Sequence, residues 1–454
     1  MRIPATLAIV TLAVSAPAAA QDSAAIVLDY QAAQQRLLDR SDAIAASDAN
    51  VRGKQAQVGA TRTLGGPEVD FEAQLLDYQK TLYLPLGSLA PVAGSFGIED
   101  PLRFRRGETA VRPIVTATLP LYTGGQIAGA KAGARAQLDQ ARAEQKGAVD
   151  KALLQLVQAY YGQQLAEQAL GVRRDVLAGL DRHLADAVKL EREQFISRAQ
   201  RLQAQVARDD AAREFEKAVA ELETANAVLA GLLRAPQGVR PTTPLFVVSQ
   251  PLDPLETYRA EALNSYPELD RLRALEAQAE AGLKIEKSKL RPTIYGFSQY
   301  SFDRRNSLLT DPDWTVGIGL RYKLVSGLGR NQTVEAARQT SMQANAGVRE
   351  ARMQIEVGVA RAWNEAEAAR RRFLLLDGSL DAASENLRLQ GLSYREQQAT
   401  SLDVIDAELG LGRARIQRAQ AAYEYVLALA QLLDLSGQIS SLPDYVARAD
   451  KEVP

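Results

Sequence analysis

The stretch EREQFISRAQRLQAQ, Glu191 to Gln205, returns 203 positions later as YREQQATSLDVIDAE, Tyr394 to Glu408. Arg-Glu-Gln occupies the same place in both copies, at Arg192 and at Arg395. Each copy interrupts a long run rich in Ala, Leu, Gln, Glu and Arg, residues that lose little entropy in a helix. None of the 18 prolines lies between Pro120 and Pro236 or between Pro312 and Pro443. Within these runs Leu154, Val157, Tyr161 and Leu165 recur at spacings of three and four, the apolar stripe of a coiled-coil-like helix. Each run therefore reads as a long helix, a turn and a returning helix, and the chain carries this hairpin twice.

The duplication extends outward. LYTGGQ at Leu121 matches LVSGLGR at Leu324, again 203 apart. LAGLL from Leu229 matches LAQLL from Leu429, which implies that three residues are lost from the second copy. Upstream, Asp42 to Pro67 matches Pro267 to Pro292 at an offset of 225, so the first copy holds a longer loop near Pro85 to Glu108. The expected layout is a first repeat over 21–232, with strands near 67–84 and 109–123 and a helical hairpin over 126–232. A proline-rich connector follows over 233–254. The second repeat spans 255–437, with strands near 292–302 and 313–324 and a hairpin over about 330–435. A tail fills 438–454. The fold class is mainly α with a small β part, built on a duplicated helix–hairpin–long helix–helix unit.

The strand signal is clearest in DWTVGIGLRYKL, Asp313 to Leu324, where Trp314, Val316, Ile318 and Leu320 alternate with Thr315, Gly317, Gly319 and Arg321. The strand regions hold 12 of the 26 aromatic residues, as a girdle at a membrane interface would. Four strands cannot close a barrel, since about eight are the minimum. If they cross a membrane, several chains must share one barrel.

Residues 1–20 read as a secretory signal, with apolar Leu7 to Val14 before Ala18-Ala19-Ala20. The chain has no cysteine, which excludes disulfides and thiolate metal sites. Its 54 basic and 55 acidic residues nearly cancel, which argues against a nucleic-acid partner. The single histidine, His183, reads as a solvated helix residue with no nucleophile motif beside it. No catalytic residue, cofactor or metal site is expected. Gly124 and Gly129 have the separation of a phosphate loop, but Ala130 stands where that loop needs lysine, so close backbone packing is expected there.

These features together resemble the TolC-like outer-membrane efflux and secretion channels of Gram-negative bacteria. The likeness rests on the doubled unit, on SLDVIDA after the second turn and on the closing A-x-x-x-Y-x-x-x-L-A-x-L-L-x-L-x-G over Ala421 to Gly437. The resemblance implies a homotrimer in the cell outer membrane, in contact with its lipid and extending into the periplasm. A shared 12-stranded β-barrel would cap a trimeric α-helical tunnel that works with a periplasmic adaptor (membrane fusion protein) and an inner-membrane transporter. It implies export of small toxic compounds, with the conduit of a type I protein secretion system as the alternative. A structural periplasmic coiled-coil protein is the rival of a different class.

For the family, the two turns form the periplasmic tip. The SLDVID match assigns Asp403 and Asp406 to an acidic ring at the channel entrance. Gln200 stands where the first copy lacks the acid, and polar contacts of Gln200 and Tyr394 are expected to hold the tip closed. Gln194, Ser197 and Arg198 of the first turn, with Gln397, Thr400 and Ser401 of the second, form the expected adaptor-contact surface. Gln194 and Gln397 occupy positions where the family commonly has glycine.

Overall fold

The structure is a computed structural model and describes residues 25–302, 312–325, 327–396 and 398–453. The expected signal segment and Gln397 lie outside the described residues. In chain order, the first repeat comprises β1 (Ile26–Leu28), α1 (Tyr30–Arg40), α2 (Asp42–Ala60), β2 (Glu68–Leu84), α3 (Ala90–Ser95), β3 (Leu102–Tyr122), α4 (Gln126–Arg192) and α5 (Arg198–Leu232). Then come β4 (Val239–Pro241) and β5 (Leu245–Val247). The second repeat comprises α6 (Leu255–Ser265), α7 (Pro267–Ser288), β6 (Thr293–Ser301), β7 (Trp314–Arg321), α8 (Arg330–Arg395) and α9 (Ser401–Leu435). The chain closes with α10 (Leu442–Ala447) and β8 (Lys451–Val453).

Three sequence expectations are corrected. No residues are lost from the second hairpin: α5 and α9 are both 35 residues long, and their N-caps, Ser197 and Thr400, stand 203 apart. Arg234 and Gly437, also 203 apart, both take positive φ just past the helix ends. Leucines recurring at three and four can be matched one turn out of step, which produced the spurious LAGLL–LAQLL alignment. The second correction concerns β3, which begins at Leu102 and not near 109, because Leu102 to Gly107 pairs with Leu84 to Gln79 across the hairpin. Third, the connector holds two short strands where the sequence offered one at most: β1 pairs with β4 in parallel, and β5 pairs with β8 of the C-terminal tail antiparallel.

The described residues divide into two compact units. The unit of residues 46–148 and 265–356 holds a four-stranded sheet in the order β2-β3-β6-β7. Its pairing sets Phe71, Val115, Tyr300 and Trp314 in one row, and Val69, Ala117, Ser298 and Val316 in the next. On this face Phe71, Trp314, Val316, Ile318 and Leu320 are two-thirds exposed or more. Tyr295 and Phe297 lie on the opposite face, paired with Gly319 and Gly317. A Cβ on Gly319 would come within 2.5 Å of the Tyr295 ring, so β7 uses glycine to seat the aromatics of β6. The strand aromatics are therefore divided between the two faces of the sheet.

Where strand gives way to helix, Gly124 has φ +65°, and a Cβ there would lie 2.9 Å from the Ser288 carbonyl oxygen. A Cβ on Gly129 would lie 2.7 Å from Ile285 Cγ1. These glycines let α4 approach α7 closely.

The other unit takes in residues to 45, 149–264 and 357 onward. Tyr30, Tyr160, Tyr161, Phe246 and Tyr425 form its aromatic core, with successive ring centroids 5.2–6.4 Å apart. The Tyr160 hydroxyl donates to the Leu28 carbonyl at 2.9 Å and accepts from the amides of Thr242 and Thr243. At the matching place of the second repeat, the Trp363 indole donates to the Asp253 carbonyl at 2.9 Å. One aromatic donor thus fixes the chain entering the first helix of each repeat. Beside Trp363 on α8, buried Arg370 pairs with Glu367 at 2.9 Å and donates to the Ser249 carbonyl. Burial pushes the Glu367 carboxyl up, but bonds from Arg370 and from the Leu252 amide outweigh it and hold the group below its ordinary range.

Candidate functional site

Both helical hairpins turn within the unit that holds the aromatic core. In the first, the Gln194 amide donates to the Glu191 carbonyl at 3.0 Å and the Phe195 amide to the Leu190 carbonyl at 2.8 Å. This is a Schellman ending, and it sets Gln194 at φ +63°. Ser197 then caps α5 in a capping box: the Gln200 amide donates to its hydroxyl, and its own amide donates to Gln200 Oε1 at 2.9 Å.

Among the described residues, the second turn shows the corresponding bond and cap. The Gln398 amide donates to the Ser393 carbonyl at 2.8 Å, and Thr400 caps α9. Asp403 completes this box, accepting from both the amide and the hydroxyl of Thr400 at 2.7 Å. Those two bonds hold its carboxyl below the ordinary carboxylate range. Gln200 and Asp403 are therefore equivalents, each serving as the third residue of a helix cap. The charge of the second copy has a local role that needs no second acid in the first.

The hairpins differ in what lies beneath the caps. Arg201 of α5 pairs with Glu191 of α4 at 2.9 Å. At the matching positions the second hairpin has Val404 and Tyr394, which cannot pair in this way. Tyr394 is instead buried, its ring centroid 4.9 Å from that of His183, and its hydroxyl has no hydrogen-bond partner among the described residues. His183 Nε2 lies 2.7 Å from Ser401 Oγ, and Ser401 is fully buried. Around them Val172, Val176, Leu180, Ala187, Ala204, Ala211 and Ile405 form one apolar core. Burial lowers the proton affinity of His183, partly offset by Asp186.

Gln194, Ser197, Arg198, Thr400, Asp403 and Asp406 are exposed, and Gln200 is half-buried. Ser401 is not a surface residue, because it is spent on His183. Within the chain, Gln200 Oε1 belongs to its own cap and Tyr394 contributes a ring. His183 is not solvated. Its spacing offered the missed signal, since Val172, Val176, Leu180, His183 and Ala187 follow one another at four, four, three and four residues along the buried stripe of α4.

With this geometry established, comparison with known proteins shows what the chain is similar to. Residues 259–438 match the family described as outer membrane efflux protein. Over those 180 of its 454 residues the chain is similar to the domain of that family. The resemblance read from the repeats stands on that match and on the fold. Over 279 residues the chain is 29% identical to protein CyaE of Bordetella pertussis, a stretch that covers 58% of each and so less than two thirds of CyaE. It is 24% identical over 328 residues to the outer membrane efflux protein BepC of Brucella suis, covering 71% of each. The fold is similar to that of the CmeC outer membrane channel of Campylobacter jejuni, with a TM-score of 0.75 at 10% identity, over 93% of this chain and 90% of that one.

Proposed function

We propose that three copies of this efflux protein share one 12-stranded barrel in the outer membrane of a Gram-negative bacterium and continue it as a helical tunnel into the periplasm. The protein is a conduit and not an enzyme. Small toxic compounds leave through it, delivered by an inner-membrane pump and a periplasmic adaptor. The observation that carries this reading is the sheet. It is too small to close by itself, its apolar face is exposed, and among the described residues its outer strands β2 and β7 each pair on one side only. Four strands from each of three chains satisfy every edge and place the apolar face in lipid.

At the tip, Gln194, Ser197, Arg198 and Thr400 present an exposed polar surface suited to the adaptor. Asp403 and Asp406, tripled by symmetry, place six carboxylates around the entrance and favour cations there. The test is to extract the protein from membranes with detergent and count protomers by native mass measurement. Three per particle, together with hypersensitivity of a deletion strain to toxic compounds, supports the proposal. A monomer that needs no detergent overturns it.

A further inference from the structure

His183 occupies an unusual position for the chain's single imidazole. It is buried, it touches the first residue of α9 through Ser401, and the Tyr394 ring of α8 lies against it. Three helices therefore converge on one titratable ring directly beneath the Thr400–Asp403 cap. The groups around it do little to welcome a positive charge. Asp186 lies one turn along α4, and Glu408 of α9 comes against Gly179, one turn before His183. Burial holds the Glu408 carboxyl above its ordinary range, so acidification neutralises it early. Tyr394 and Ser401 are uncharged, and α5 packs alanines, Ala204 and Ala207, against this core. The α9 N-terminus itself points a positive dipole end toward this region.

We propose that His183 is an acid-sensitive latch that ties the first turn of α9 to α4 while neutral and releases it when protonated. The latch rests on the reading of this turn as the tunnel tip, where release would loosen one hairpin of each protomer and leave the other in place. The sign follows from burial. A histidine harder to protonate in the folded tip than in solution keeps the tip intact above about pH 6.5. The tip is then progressively destabilised as pH falls below that value. Asp403 stays ionised throughout this window, so the cap and the latch respond at different pH.

The experiment is amide hydrogen exchange on the purified, detergent-solubilised protein at pH 7.5 and 5, corrected for intrinsic rates. It is read at residues 401–408, with 198–205 as the internal control. The expected result is a several-fold loss of protection at 401–408 in the wild type and no change at 198–205. In His183→Gln, which keeps a neutral partner for Ser401, the loss should be abolished. Equal protection at both pH values in the wild type, or an unchanged loss in His183→Gln, overturns the latch. Should that variant not fold, the single imidazole resonance of the wild type still decides. Titration at the ordinary histidine value without loss of protection contradicts the proposal. Conductance at pH 7.5 is recorded in parallel, so that absence of pores counts against the channel and not against the latch.

Discussion

The Asp403 carboxylate receives two hydrogen bonds from Thr400, from its amide and from its hydroxyl, both at 2.7 Å. The same constellation, with an amide oxygen in place of the carboxylate, joins Gln200 to Ser197. Two copies of one turn have kept the cap and diverged in its charge.

Removing the capping hydroxyl should weaken each hairpin alike. Ser197→Ala and Thr400→Ala are each expected to cost about 1 kcal/mol of local helix stability. Hydrogen exchange over the first turn of α5 or α9 reads the effect. The two caps part company in acid. Asp403 is held ionised by Thr400, so its contribution is complete above the ordinary carboxylate value and is lost as pH falls through its lowered one. The Gln200 cap should show no such loss down to pH 2.

Gln194 holds a left-handed conformation that costs a non-glycine residue about 1 kcal/mol or more. Gln194→Gly should therefore stabilise the first turn by roughly 0.5–1 kcal/mol, once the greater freedom of glycine in the unfolded chain is discounted. A shift in thermal unfolding of that sign, with unchanged assembly, is the expected outcome.

At the strand-to-helix junction the opposite holds. Gly124→Ala forces a Cβ into the Ser288 carbonyl and the Arg291 side chain at a positive φ. The expected loss is about 2–4 kcal/mol, from strain and overpacking together. The yield of folded protein in membranes should fall sharply, whereas Gly125→Ala, with nothing within 4 Å of its Cβ, suffers the backbone strain alone.

The Glu367–Arg370 pair is buried, and removing Arg370 leaves Glu367 only the more exposed Arg371 at 3.6 Å and the Leu252 amide. Arg370→Leu should destabilise by about 2–3 kcal/mol, less than for a fully uncompensated buried charge, and Glu367→Gln/Arg370→Leu by less than the single change. Chemical unfolding of the four proteins forms the cycle that measures the coupling.

Most of the architecture was legible because helix and strand periodicity survive in a duplicated chain. The 203-residue offset located both turns, and the alternation from Trp314 to Leu320 located β7 and its apolar face. What failed were features set by contacts distant in sequence. The extra turn of pairing at Leu102 depends on a partner strand across the hairpin, and the short strands at Val239 and Leu245 depend on β1 and β8 at the two ends of the chain. His183 was misread because a polar residue within an apolar stripe looks solvated until its partner is known, and Ser401 stands 218 positions away.

The central claim is that this chain builds a pore whose mouth is acidic. Single-channel conductance of the purified protein in planar bilayers, with and without Asp403→Asn/Asp406→Asn, tests it most directly. Asparagine keeps an acceptor for the Thr400 cap while removing the charge, so folding is preserved. Stable pores whose cation preference or divalent-cation block weakens in the double variant are the predicted result. Pores indifferent to the substitution would contradict the acidic mouth, and a folded protein that forms no pores would contradict the channel itself.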